Sequence, residues 1–104
     1  MDIIFNTDKH IDGKERVEAY FTTEIKKELA RFEDRVTRVE VHVSDENGSK
    51  SGVNDKKCTM EVRPKGLKPV AVSAIGDSAE QAINAATKKM YSSLNTVYGK
   101  LQNI

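Results

Sequence analysis

The sequence predicts an α/β (α+β) two-layer sandwich in the order β-α-β-β-β-α, a four-stranded sheet with its first two strands parallel and both helices on one face. Three observations carry that prediction. Residues 39–63, VEVHVSDENGSKSGVNDKKCTMEVR, contain two alternating runs joined by a polar loop rich in Gly, Ser, Asn and Asp. Val39, Val41 and Val43 fall on one side of the first run while Arg38, Glu40 and His42 fall on the other, the period-two signature of a sheet with one buried face. Two further segments repeat apolar residues every three or four positions, the period of amphipathic helices.

Taken in order, residues 3–6 form a short apolar run that reads as a first strand. Asp12 is a candidate N-cap for a helix whose stripe is Val17, Phe21, Ile25, Leu29 and Phe32, about five turns long. Beyond Phe32 the period changes to alternating and leads into the strand around Val41. Residues 44–55 carry no apolar side chain except Val53, so they read as a loop between two antiparallel strands. In the second of these, Cys58, Met60 and Val62 alternate against Lys57, Thr59, Glu61 and Arg63. The segment PKGLKP holds both prolines of the chain and predicts a turn into a strand at 70–75. Asp77 and Ser78, each followed three positions later by Glu80 or Gln81, give a capping-box start to a last helix. Its apolar face is Ala79, Ala82, Ile83, Ala86, Met90, Leu94, Val97 and Leu101, with Gly99 marking fraying near its end. A β-α-β crossover is right-handed and makes the first two strands parallel, and a sheet with one apolar face needs both helices on that face.

The 104 residues suit a single domain spanning 1–104. A charged fraction of 32% and the absence of Trp describe a soluble chain, and no run approaches the ~20 apolar residues of a membrane span. The N-terminus lacks the layout of a secretory signal, which predicts a cytoplasmic protein with no membrane partner. The lone Cys58 fits a reducing compartment. Net charge is only +1, but residues 1–55 sum to −4 and residues 56–104 to +5. A basic second half points to a polyanionic partner or to nothing more than an uneven surface.

Catalytic chemistry finds little support. The single dyad worth testing is Cys58 with His42, and alternation sends them to opposite faces. Asp45, Asn47 and Gly48 lack the remaining ligands of a calcium loop, and no zinc spacing, phosphate loop or nucleophile elbow occurs. The expectation is a protein that is no enzyme and has no metal, no cofactor and no small-molecule substrate. The outward helix faces say more. Arg16, Tyr20, Lys27 and Arg31 recur at spacings of four, seven and four, and Lys88, Tyr91, Asn95 and Tyr98 at three, four and three, with Lys89 and Lys100 on the other flank. Cations along a helix can follow phosphates and tyrosines between them can stack on unpaired bases, although tyrosines at the rim of an apolar face also pack.

The passage Leu29-Ala30-Arg31-Phe32-Glu33, the strand at 39–44, and Ala82-Ile83-Asn84 through Lys89-Met90 to Leu94 resemble the bacterial ribosome hibernation-promoting factor and ribosome-associated inhibitor (sigma-54 modulation) family, in its short form. The element order matches over the whole chain, and the hairpin loop is longer, as in a divergent branch. The resemblance implies a ribosome-binding, translation-silencing factor. Its helices would present cations to 16S-type rRNA of the small ribosomal subunit and fill the channel of messenger and transfer RNA. By position, Arg31 matches the basic residue late in the first helix and Lys89 the lysine before the hydrophobic pair of the second. Lys88 and Arg35 join them by proximity, and Arg16, Tyr20, Lys27 and Tyr91 complete the expected RNA contacts. Ser92 stands where the family has an arginine, which implies weaker or differently placed rRNA binding. The alternative is a non-catalytic protein-interaction module using the 44–55 loop or the open sheet face. Self-association stays open.

Overall fold

The structure, a computed structural model, describes residues 1–8, 11, 13–46 and 55–102. Its elements are β1 (Asp2–Thr7), α1 (Lys14–Glu28), a 3-10 helix (Ala30–Arg35), β2 (Val36–Asp45), β3 (Lys56–Pro64), β4 (Val70–Gly76) and α2 (Ala79–Gln102). The strands lie in the order β1-β2-β3-β4, with β1 parallel to β2 and the other neighbours antiparallel. Among the described residues no helix is long and apolar enough to cross a membrane.

Alternation sets the hairpin register. Val39 pairs with Val62, Val41 with Met60 and Val43 with Cys58, and all six side chains are buried beneath the helices. The pairing shifts between Val36 and Arg38, and the Thr37 hydroxyl donates to the Arg63 carbonyl at 3.1 Å across that irregularity. On the open face the same register sets Arg38 opposite Arg63 and Glu40 opposite Glu61. Like charges facing each other across strands are unfavourable. Each is offset along its own strand, by Arg38–Glu40 at 3.5 Å and Arg63–Glu61 at 3.2 Å.

The helices depart from the sequence pattern in three places. Gly13, with φ 67°, occupies the N-cap position of α1 without a side-chain cap, and Asp12 lies outside the described residues. The stripe from Val17 to Phe32 is buried as expected, but α1 ends at Glu28 and the chain tightens into the 3-10 helix. Leu29 ends the α-helix at φ −100° and ψ 13°, with its N–H still bonded to the Ile25 carbonyl at 2.9 Å. A 3-10 turn has 3.0 residues per turn, so Phe32 stays buried while its neighbours swing away from the α1 line. In α2, Tyr98 is buried and Val97 only half-buried, and the helix runs past Gly99 to Gln102.

The start of α2 follows the capping-box expectation closely. The Gln81 N–H donates to Ser78 Oγ at 3.1 Å, and the Gln81 side chain accepts from the Asp77 N–H at 2.9 Å. Small residues in the first turns bring α2 down onto β3 and β4. A Cβ at Gly76 would lie 2.8 Å from the Ala82 backbone nitrogen.

Candidate nucleic-acid interface

The seam between the 3-10 helix and α2 is built from aromatic rings. Phe32 sits between Tyr91, edge-on at 5.6 Å between centroids, and Tyr98, stacked at 5.7 Å. The Tyr98 hydroxyl donates to the Arg35 carbonyl at 3.2 Å, and the Arg35 guanidinium lies 4.9 Å from the Tyr98 ring centroid. Burial pushes the Tyr98 phenol up, against the lowering influence of Arg35. Tyr98 is therefore a packing residue and leaves the line of outward side chains that its spacing suggested.

Arg31 is drawn into the same seam. Because the α-helix stops at Glu28, Arg31 does not continue the line of Arg16, Tyr20 and Lys27; it turns toward α2, where its Nη1 donates to Asn95 Oδ1 at 2.7 Å. The Tyr91 phenol is held below the ordinary tyrosine range, first by a hydrogen bond from Arg31 and then by one from Asn95, with Glu28 acting in the opposite sense. Lys88, Tyr91 and Asn95 share one flank of α2 by their spacing, so Lys88 falls on the Arg31 side and is exposed. Among the described residues no ion pair engages Lys88, Arg31 or Arg35.

The other expected contacts are dispersed. Lys89, next in sequence to Lys88, lies on the opposite flank, and its ammonium donates to the Ser73 carbonyl of edge strand β4 at 2.8 Å. Lys27 pairs with Glu24 at 3.6 Å, an exposed contact of little energetic weight. Tyr20 is 57% exposed, with its ring edge-on to Phe21 at 4.9 Å, and Arg16 is exposed one turn before it. On α1, Lys14, Arg16, Lys26 and Lys27 are matched by Glu15, Glu18, Glu24 and Glu28, so that helix has no net charge. The sequence of α2 holds one carboxylate, Glu80, against three lysines, Lys88, Lys89 and Lys100. Arg31, Arg35, Lys88 and Tyr91 are thus brought together, while Arg16 and Tyr20, Lys27, and Lys89 stand in separate environments. The sequence pattern missed that Asn95 joins α2 to Arg31 and that Tyr98 supports Arg35. The one available signal was the aromatic pair at 91 and 98, a spacing of seven that puts both rings near one helix face.

The remaining chemistry is sparse. Cys58 is fully buried, its thiol pushed up to about 12 by burial, and His42 lies exposed on the other face of the sheet. The residues between 46 and 55, which hold most of the expected loop surface, and His10 lie outside the described residues. The open face has a shallow depression of about 290 Å³ lined by Ile4, Asn6, Glu40, His42, Thr59 and Glu61.

No curated protein matches the sequence. Among solved structures, the fold is similar to a ribosomal subunit interface protein from Coxiella burnetii, with TM-score 0.65 and 15% identity over 95% of this chain and 99% of that one. It is also similar to the N-terminal domain of Thermus thermophilus Protein Y, with TM-score 0.59 and 17% identity over 92% and 94% of the two chains. At that identity the likeness is one of fold. The family model for the sigma 54 modulation protein / S30EA ribosomal protein matches residues 4–102, almost the full length, and the chain belongs to that family.

Proposed function

We propose that the chain is a hibernation-type factor of the cytoplasm. It binds the small ribosomal subunit, contacts the rRNA backbone with the cations of its helical layer, and silences translation by occupying the channel of messenger and transfer RNA. Two solved structures of the same fold are named for the ribosomal subunit interface and as Protein Y, and the family is named for a ribosomal protein. The observation that carries the reading to this chain is the seam itself. It sets two arginines and a lysine, with no ion pair among the described residues, beside the half-buried Tyr91. Phosphate contacts of this kind release counterions, so affinity falls steeply as salt rises.

Co-sedimentation with purified small subunits tests it. The protein is expected in the subunit fraction at low ionic strength and free at high ionic strength. Absence from the subunit fraction at every ionic strength overturns the proposal. The open-face depression supports a second reading, docking of a protein partner on the sheet, since the Arg–Glu pairs leave that surface nearly neutral. Arg31→Glu separates the two: it abolishes subunit binding under the first reading and leaves partner binding intact under the second.

A further inference from the structure

We propose that Arg31 is a preset clamp for a single RNA phosphodiester, with Asn95 and Tyr91 as its positioning residues; the inference rests on the ribosome-binding reading above. The Arg31 side chain is exposed, yet it is fixed. Nη1 is held by Asn95 Oδ1 at 2.7 Å, and the guanidinium carbon lies 5.7 Å from the Phe32 ring centroid. Arg31, and after it Asn95, hold the Tyr91 phenol below the ordinary tyrosine range, and the Tyr91 ring is itself braced edge-on against Phe32.

An arginine free in solution loses rotamer entropy when it grips an anion; one held beforehand has already lost it. The guanidinium fork matches the two non-bridging oxygens of a phosphodiester, and both positioning contacts use neutral partners, so the positive charge is not cancelled. Arg35, held over Tyr98, and Lys88, on the Tyr91 flank, add positive potential on either side. Glu28 is the carboxylate acting on the Tyr91 hydroxyl, and it opposes Arg31 there. Glu33 and Asp34 of the same 3-10 helix balance Arg31 and Arg35 in formal charge, so it is the fork of the held guanidinium, matched to two non-bridging oxygens, that favours a phosphodiester.

The geometry also bears on Ser92, the site of a lost cation. Ser92 is exposed, and Asn95 lies one turn on, in contact with Arg31.

Binding of Arg31→Lys, Asn95→Ala, Tyr91→Phe and Arg31→Ala variants to purified small subunits, titrated across a series of salt concentrations, tests the clamp. Arg31→Lys keeps the charge and loses the fork, and is expected to weaken binding about tenfold. Asn95→Ala and Tyr91→Phe remove no charge; each is expected to weaken binding about three- to tenfold with the salt slope unchanged. Arg31→Ala is expected to lower the slope by about one. Melting midpoints of the same variants separate binding from folding, and Arg31→Lys, at an exposed position, keeps the test sound if an α2 variant folds poorly. If the wild type binds and Arg31→Lys, Asn95→Ala and Tyr91→Phe bind equally well, the clamp is overturned and the ribosome reading stands. If Arg31→Ala weakens binding with no change of slope, Arg31 contacts a protein group and the phosphodiester assignment is overturned. If the wild type fails to bind at all, the ribosome reading falls and the clamp with it.

Discussion

Gly76 and Gly99 show how far a single atom can matter. At Gly76 the last residue of β4 passes under the first turn of α2, so an added methyl would meet the Ala82 backbone nitrogen at 2.8 Å and Gln81 Cβ at 2.9 Å. Both atoms belong to a capped helix turn and cannot move without disturbing the Ser78 and Gln81 bonds. Overpacking of this kind costs about 1–3 kcal/mol. At Gly99, inside α2, nothing lies within 4 Å of the added methyl, and the change removes the helix penalty of glycine, worth about 0.5–1 kcal/mol. Thermal melts should therefore show Gly76→Ala lowered by roughly 4 °C or more and Gly99→Ala raised by a few degrees. Equal midpoints for the two variants would refute the account. Neither outcome was legible in the sequence, where Gly76 carries no distinguishing pattern and Gly99 reads as a fraying helix end. Tyr91 and Tyr98 were alike in the same way. Their spacing gave a common face, and only the position of Phe32 decides that one is buried under Arg35 while the other stays at the rim.

The strands were the most legible elements, because a sheet buried on one side repeats with period two whatever lies on top of it. Val39, Val41 and Val43 faced inward as their alternation required, and Cys58 and His42 were separated by the same rule. The end of α1 was not legible. Leu29 and Phe32 fit an α-helical stripe and a 3-10 turn almost equally well, and the choice decides where Arg31 points. Edge strand β4 shows a further role that sequence alone hides. Val70–Gly76 carries no charged residue, and Ile75 is 57% exposed, features that invite pairing with another strand. Lys89 reaches over that edge and occupies the Ser73 carbonyl at 2.8 Å. Lys89→Ala is accordingly expected to self-associate at concentrations where the wild type sediments as a smaller species. Identical sedimentation of the two across the concentration range would show that the lysine guards nothing.

At the scale of the whole molecule, the surplus of positive charge in residues 56–104 becomes directional once folded. The open face pairs Arg38 with Glu40 and Arg63 with Glu61, and the hairpin neck pairs Lys56 with Asp55 at 2.9 Å and Asp45 at 3.7 Å. With α1 and the 3-10 helix each balanced in formal charge, the surplus left for a polyanion is that of α2, beside which the 3-10 helix presents Arg31 and Arg35. The two adjacent lysines of α2 then divide the work. Lys88 lies on the flank of Tyr91, Asn95 and Arg31, and Lys89 bonds to the sheet edge on the other side. A resemblance by position favours Lys89 as the rRNA contact, whereas the folded geometry favours Lys88. Charge reversal distinguishes them, because replacing a phosphate-facing cation by an anion removes one released counterion and adds a repulsion. Lys88→Glu should weaken small-subunit binding at low salt by about tenfold or more and flatten its salt dependence. Lys89→Glu, measured below any concentration at which it self-associates, should weaken binding by much less. If Lys89→Glu proves the more damaging, the seam is not the binding surface, and the interface must instead follow the β4 flank of α2.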